Sequence, residues 1–153
     1  MSEQAPMPGE FIYEQIAHVT QITEYGLAFD KLVSGTAPPP AEGARFDAVV
    51  EGTATGPKLN GVVKGVDYVH VRADGRIALH YHAEITTEDD KKIALEADGV
   101  LTLEPGSPIA QLRNNVALTT AADEYAWVNP IQIWARGTVD LAKREIRFNA
   151  YAV

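Results

Sequence analysis

Apolar residues recur at every second position over long stretches of the chain. The clearest case is Ile77, Leu79, Tyr81, Ala83 and Ile85, which alternate with Ala78, His80, His82, Glu84 and Thr86. The same period runs through Ile93 to Leu103, Ile131 to Val139 and Ile146 to Ala152. A period of two sends alternate side chains to opposite faces of a strand, so these segments read as β-strands with one apolar and one polar face. Turn-forming residues separate them at Ala73-Asp74-Gly75, Thr87 to Lys91, Pro105-Gly106-Ser107-Pro108 and Leu141 to Arg144. Strands at hairpin spacing form an antiparallel sheet. With about eight to ten of them in one domain, closing the sheet removes edges that would otherwise pair with other chains. The expected fold class is therefore all-β, a single antiparallel β-barrel, with a two-sheet sandwich as the alternative.

Little of the chain reads as helix. Gly26 and the β-branched residues before it weaken the stretch from Gln21 to Val33 to a turn at most. Thr119 to Trp127 opens on a capping threonine and continues with helix-tolerant residues, so at most one short helix is expected, there. Pro38-Pro39-Pro40 makes the loop from Ser34 to Gly43 extended and semi-rigid. Residues 1–9 are expected to form a flexible N-terminal segment and residues 10–153 the single barrel domain.

The segment Gly52 to Tyr68, GTATGPKLNGVVKGVDY, is where backbone geometry is most plainly specified. It carries four glycines and a proline between two β-rich runs. Gly56-Pro57 marks a strand end, and Gly61 and Gly65 mark bends or close backbone approaches in the next strand. The spacing of Gly52, Gly56, Pro57, Leu59 and Gly61, followed by the acid-aromatic pair Asp67-Tyr68, resembles the pattern of the DUF3237 (UPF0311) family. Gly43-Arg45, the Asp74-Gly75 turn, and Tyr125, Trp127 and Asn129 extend the resemblance over roughly Glu10 to Val153. The chain departs from that pattern at Tyr68, where the family usually has Trp, at His82-Ala83, where it has an Arg-Tyr pair, and at Asp89-Asp90, where it has a D-G turn. The resemblance implies a barrel of lipocalin-like appearance and says little about chemistry.

Composition narrows the field. At 153 residues the chain suits one domain, and it contains no Cys, so disulfides, thiolate nucleophiles and Cys-ligated zinc are excluded. Thirteen Lys and Arg against 21 Asp and Glu give a formal charge of −8, opposite to the footprint of a nucleic-acid binder. The residues from Met1 to Glu10 lack the basic start and apolar stretch of a secretory signal, and no apolar run is long enough for a membrane-spanning helix. A cytoplasmic protein without nucleic-acid or membrane partners is expected.

Two constellations can carry chemistry. His80, His82 and Glu84 share one strand face and could present two imidazoles and a carboxylate to a metal, with His70 on the preceding strand. The competing reading, that this polar face simply meets solvent, is the stronger, and no metal is expected. Asp67, beside Tyr68 and after Gly65, would have a raised pKa in an apolar cavity and could act as general acid or base. The plainer reading is an aspartate bonding nearby amides in a bend. Lys58 and Arg45 are candidates to neutralise an anionic ligand or a developing negative charge, against ordinary surface ion pairing. Tyr125, Trp127 and Asn129 form an aromatic-amide cluster suited to a ring-bearing ligand, or else a plug with Trp127 closing one barrel end and Asn129 capping a turn.

No nucleophile elbow, Walker loop, dinucleotide fingerprint or HExxH motif is present. The expected function is a small-molecule enzyme without an organic cofactor, a lyase, isomerase or hydrolase acting on an apolar or aromatic carbonyl, ester or lactone. In that reading Asp67 and Lys58 are catalytic, while Arg45, Tyr68, His82, Tyr125, Trp127 and Asn129 bind the ligand. The alternative is a non-catalytic binding protein for a hydrophobic metabolite. A homo-oligomeric scaffold, assembled through an exposed apolar face, is the third option.

Overall fold

In every period-two segment the apolar parity turns inward, toward a shared interior. The computed structural model describes residues 9–153, so the segment expected to be flexible lies, apart from Gly9, outside the described residues. Eight strands follow in chain order: β1 (Glu10–Glu24), β2 (Ala44–Thr55), β3 (Gly61–Val71), β4 (Ile77–Thr87), β5 (Lys92–Thr102), β6 (Ile109–Thr119), β7 (Ile133–Asp140) and β8 (Glu145–Ala152). Each pairs antiparallel with the next, and β8 returns to β1, so the sheet is a closed up-and-down barrel. Closure removes the sandwich alternative, because no strand is left with an unpaired edge.

Two short helical pieces occur where at most one was expected. The 3-10 helix Asp123–Val128 falls in the segment with the threonine cap candidate. The second, α1 (Phe29–Val33), forms directly after Gly26, whose positive φ of 91° ends the β1 run and turns the chain back over the barrel. A carboxylate oxygen of Glu24 accepts the Phe29 N–H at 2.6 Å and so satisfies a donor that has no partner within the helix. No helix among the described residues is long and apolar enough to cross a membrane.

The two barrel ends are filled differently. At the end where β2 meets β3, Tyr13, Leu59, Ile85, Ile93, Ile133 and Val128 are all fully buried. The 3-10 helix lies over this end, tied down by Tyr125, whose hydroxyl donates to Asp89 Oδ1 at 2.6 Å in the β4–β5 turn. At the opposite end α1 supplies Leu32, which is buried, and Phe29, which meets Phe46 edge-on at 5.1 Å. Packing there is looser, and the interior beneath α1 keeps open space.

Inward-facing glycines leave no room for a Cβ against the neighbouring strand. A Cβ on Gly65 would lie 2.3 Å from the His82 carbonyl oxygen and 2.5 Å from Ala83, on the neighbouring strand. A Cβ on Gly52 would lie 2.1 Å from the Ile16 carbonyl oxygen. Both clashes are with backbone, which cannot rotate away as a long side chain can. Gly65→Ala is therefore expected to destabilise the barrel by about 2–4 kcal/mol, read from urea unfolding. An unchanged denaturation midpoint would show that the β3–β4 approach relaxes freely.

Candidate functional site

Asp67 occupies an inward position of β3, between Gly65 and Val69 in the same parity, so the strand carries a carboxyl into an otherwise apolar interior. The β3–β4 ladder runs from Gly61↔Thr87 to Asp67↔Tyr81 and resumes at His70↔Ala78. Beside this gap the Asp67 carboxylate accepts the backbone N–H of His80 at 3.2 Å. Burial pushes the carboxyl up to about 7, and the His80 N–H opposes that shift only in part. No nearby cation contributes.

Around Asp67 lies a cavity of about 70 Å³ beneath α1. Its walls are mostly aliphatic and aromatic, including Val50, Phe46, Leu79, Leu112 and Phe148, and its polar groups are few. Tyr81 is the direct cross-strand partner of Asp67 and shares its inward face, which sets their Cβ atoms about 5 Å apart. The Gln15 side-chain amide donates to the Tyr81 hydroxyl at 3.5 Å. Burial, first, and the Asp67 charge push the Tyr81 phenol up, so it stays a neutral hydrogen-bond donor. Asn114, 8% exposed, also lines the cavity. Its Oδ1 and the Oε1 of Gln15 are buried without a hydrogen-bond partner. Arg144, from the β7–β8 turn, lines the rim.

The residues singled out from the sequence do not converge on this cavity. Strand parity divides them: Tyr68 follows Asp67 by one position and points outward, as does His82, paired with Val66. On the outer wall the Tyr68 and His82 rings meet edge-on at 5.9 Å, and the Arg45 guanidinium lies 5.5 Å from the Tyr68 ring and 5.7 Å from the Tyr25 ring. Arg45 Nε and the Tyr25 hydroxyl both bond Asp47, at 3.0 and 2.6 Å, and the Tyr25 bond is the main cause that holds Asp47 below the usual carboxylate range.

Lys58 lies at the opposite barrel end, its ammonium 5.9 Å from the Trp127 ring. Asn129 closes the loop at that end, accepting the Thr120 N–H at 2.8 Å and donating to the Thr120 carbonyl at 2.9 Å. His80, His82 and Glu84 face outward, with Glu84 3.6 Å from the Lys92 ammonium. Among the described residues no three His, Asp or Glu side chains gather as a metal site.

Gln15, Tyr81, Asn114 and Arg144 were not anticipated. Asn114 left a signal, as a lone amide in the apolar parity of Ala110, Leu112, Val116 and Leu118. Tyr81 left another, since it and Asp67 each lie seven residues from Asp74, on which the β3–β4 pairing is centred. Gln15 gave none, because register shifts at Phe11/Tyr13 and Val19/Gln21 interrupt the period of β1.

A family model described as a protein of unknown function, DUF3237, matches residues 31–153. The chain belongs to the DUF3237 family. Among curated proteins none matches this DUF3237 chain. A protein of unknown function from Clostridium acetobutylicum ATCC 824 has the same fold, with a TM-score of 0.78 and 19% identity over 96% of this chain and 99% of that one. A β-barrel-like protein from Acinetobacter baumannii AYE aligns with a TM-score of 0.74 and 17% identity over 99% of both chains. An enzyme from Penicillium herquei aligns with a TM-score of 0.60 and 19% identity over 98% of this chain and 99% of that one. At such identities the likeness is one of fold. The family match begins within α1, so β1, which supplies Gln15, falls outside it.

The Asp67 shift sets a pH dependence for the stability of this DUF3237 barrel. A carboxyl whose folded pKa, about 7, exceeds its ordinary value of 3.8 holds its proton more tightly when folded. That contribution is complete below about pH 4 and is lost as pH rises through 7. Relative to a permanently neutral Asp67→Asn variant, the native protein is expected to match at pH 4. At pH 8 it should be less stable by up to about 4 kcal/mol. Paired urea titrations at the two pH values check this, and equal stabilities at both would contradict it.

Proposed function

We propose that this chain is a small-molecule enzyme without an organic cofactor that performs acid/base chemistry at Asp67 on apolar or aromatic carbonyl, ester or lactone compounds. The observation that carries the reading is a carboxyl set in a mostly apolar cavity across the strands from a phenol, where burial raises its pKa to about 7. Near neutrality such a carboxyl is present in both protonation states, the condition under which proton transfer in either direction is most effective. As carboxylate it removes a proton from carbon next to a carbonyl or from an attacking hydroxyl. The same group then returns the proton at the new position or to a leaving oxygen.

Negative charge that develops on the substrate oxygen needs a donor. Tyr81, adjacent across the strands and oriented by Gln15, has its O–H available for that role, in place of Lys58 or Arg45. A purely storage function gives no reason for a carboxyl at this place, because burying it opposes folding at neutral pH and a carrier needs no titrating group. That the same fold occurs in an enzyme from Penicillium herquei supports catalysis only as an analogy of fold.

The test is exchange of the methyl protons of 4-hydroxyacetophenone in deuterated buffer, followed by NMR. The native protein is expected to accelerate exchange, with a rate that rises through pH 7 and then levels as the carboxylate form saturates. Asp67→Asn should reduce the rate by roughly 10²–10⁴-fold and Tyr81→Phe by about 10²-fold, with binding of the ketone kept. Exchange by Asp67→Asn at the native rate would sink the proposal.

A further inference from the structure

The cavity holds one cation, and its position is informative. Of the charged residues among those described, only Asp67 and Arg144 line the cavity, the first on an inner strand and the second on the turn at the rim. Arg144 has a φ of 55°, a left-handed conformation that glycine or asparagine adopts with less strain. The turn is nonetheless firmly built. Asp140 Oδ1 accepts the N–H groups of Ala142 and Lys143, both at 3.0 Å, and the Arg144 carbonyl accepts the Val19 N–H at 2.9 Å. A strained backbone thus holds an arginine where the fold requires no side chain at all.

What the guanidinium touches is slight. It lies 3.9 Å from Asp30 on α1, and the two side chains are 43% and 80% exposed, so water weakens this pair. An arginine offers five N–H donors in a planar fork suited to a carboxylate, and this contact leaves most of them for another acceptor. The rest of the lining is mostly apolar, including Val19, Ile22, Phe46, Leu112 and Phe148.

These features together point to the ligand. The geometry points to an amphipathic small acid as the cavity's occupant, with its anionic group on Arg144 at the rim and its apolar body along the walls. This rests on the cavity site proposed above, but not on the chemistry proposed for it. On a chain of net charge −8, a cation at the entrance also offsets the repulsion such a ligand would meet. Binding would exchange Asp30 for the ligand on Arg144.

Calorimetric titration with 3-(4-hydroxyphenyl)propanoate, and with 4-ethylphenol as its uncharged counterpart, tests this. The acid should bind at least about 10-fold more tightly than the phenol, and Arg144→Gln should erase that difference while leaving the phenol unchanged. Arg144→Lys should restore part of it. Arg144→Gly separates recognition from structure: with the strain relieved its thermal midpoint should rise, yet the preference for the acid should still be lost.

Equal affinity of the native protein for acid and phenol, an unaltered preference in Arg144→Gln, or binding of neither compound would overturn the inference. Loss of exchange in Asp67→Asn together with any of these results would leave the acid/base reading standing. The reverse combination would leave a recognition site without that chemistry.

Discussion

A closed eight-stranded sheet encloses a small, fixed interior, and every inward side chain competes for it. The rest of this molecule follows from how that volume is divided. Beneath the 3-10 helix, Tyr13, Leu59, Ile85, Ile93, Leu95 and Ile133 fill it completely. Toward α1 the space among Ala48, Val50, Asp67 and Val69 is left open. The cavity is the part of the interior that these inward side chains leave unfilled. Its apolar walls in turn determine the state of the single carboxyl that enters it.

Asp67 sets a local need against the stability of the whole. The carboxyl receives one backbone hydrogen bond, from His80, and that bond does not offset the loss of hydration. At neutral pH the ionised form is held in place by the surrounding ladders, which fix the strand whatever this one residue prefers. Similar logic applies at the rim, where the Asp140-bonded turn and the bond to Val19 keep Arg144 in a backbone conformation its side chain disfavours. Both charged residues of the cavity stand at positions where neutral or smaller residues would suit the fold better. Such local conflicts with an otherwise consistent sequence are where function is expected to lie.

Much of the architecture was legible because period-two patterning is a local property. The apolar faces of β4, β5, β7 and β8 follow directly from alternation, though not that these faces line the interior, and Asp67 stood out as an acid after a glycine. The site was less legible because its assembly depends on parity and register across strands. Asp67 and Tyr68 are adjacent in sequence and lie on opposite sides of the wall, so treating them as one motif joined an interior group to an exterior one. Lys58 and Trp127 meet each other, but at the other end of the barrel from Asp67, where they line a separate pocket with Phe11 and Ile131. Gln15 was hidden by the bulges of β1, whose extra residues disturb the alternation that revealed the other strands. Arg144 sat in a segment read only as a turn, and its left-handed backbone is a property of coordinates rather than of composition.

The seam between β1 and β8 has a consequence for how the molecule comes into being. Seven of the eight ladders join strands consecutive in sequence, whereas this one brings Glu10 against Ala152. Local ladders can form as soon as both their strands exist, but the seam bears the loop-closure entropy of nearly the whole chain and so belongs to the slow, late part of folding. The cavity draws Gln15 and Val19 from the first strand and Ile146 and Phe148 from the last. During synthesis the binding chamber therefore does not exist until β8 docks against β1.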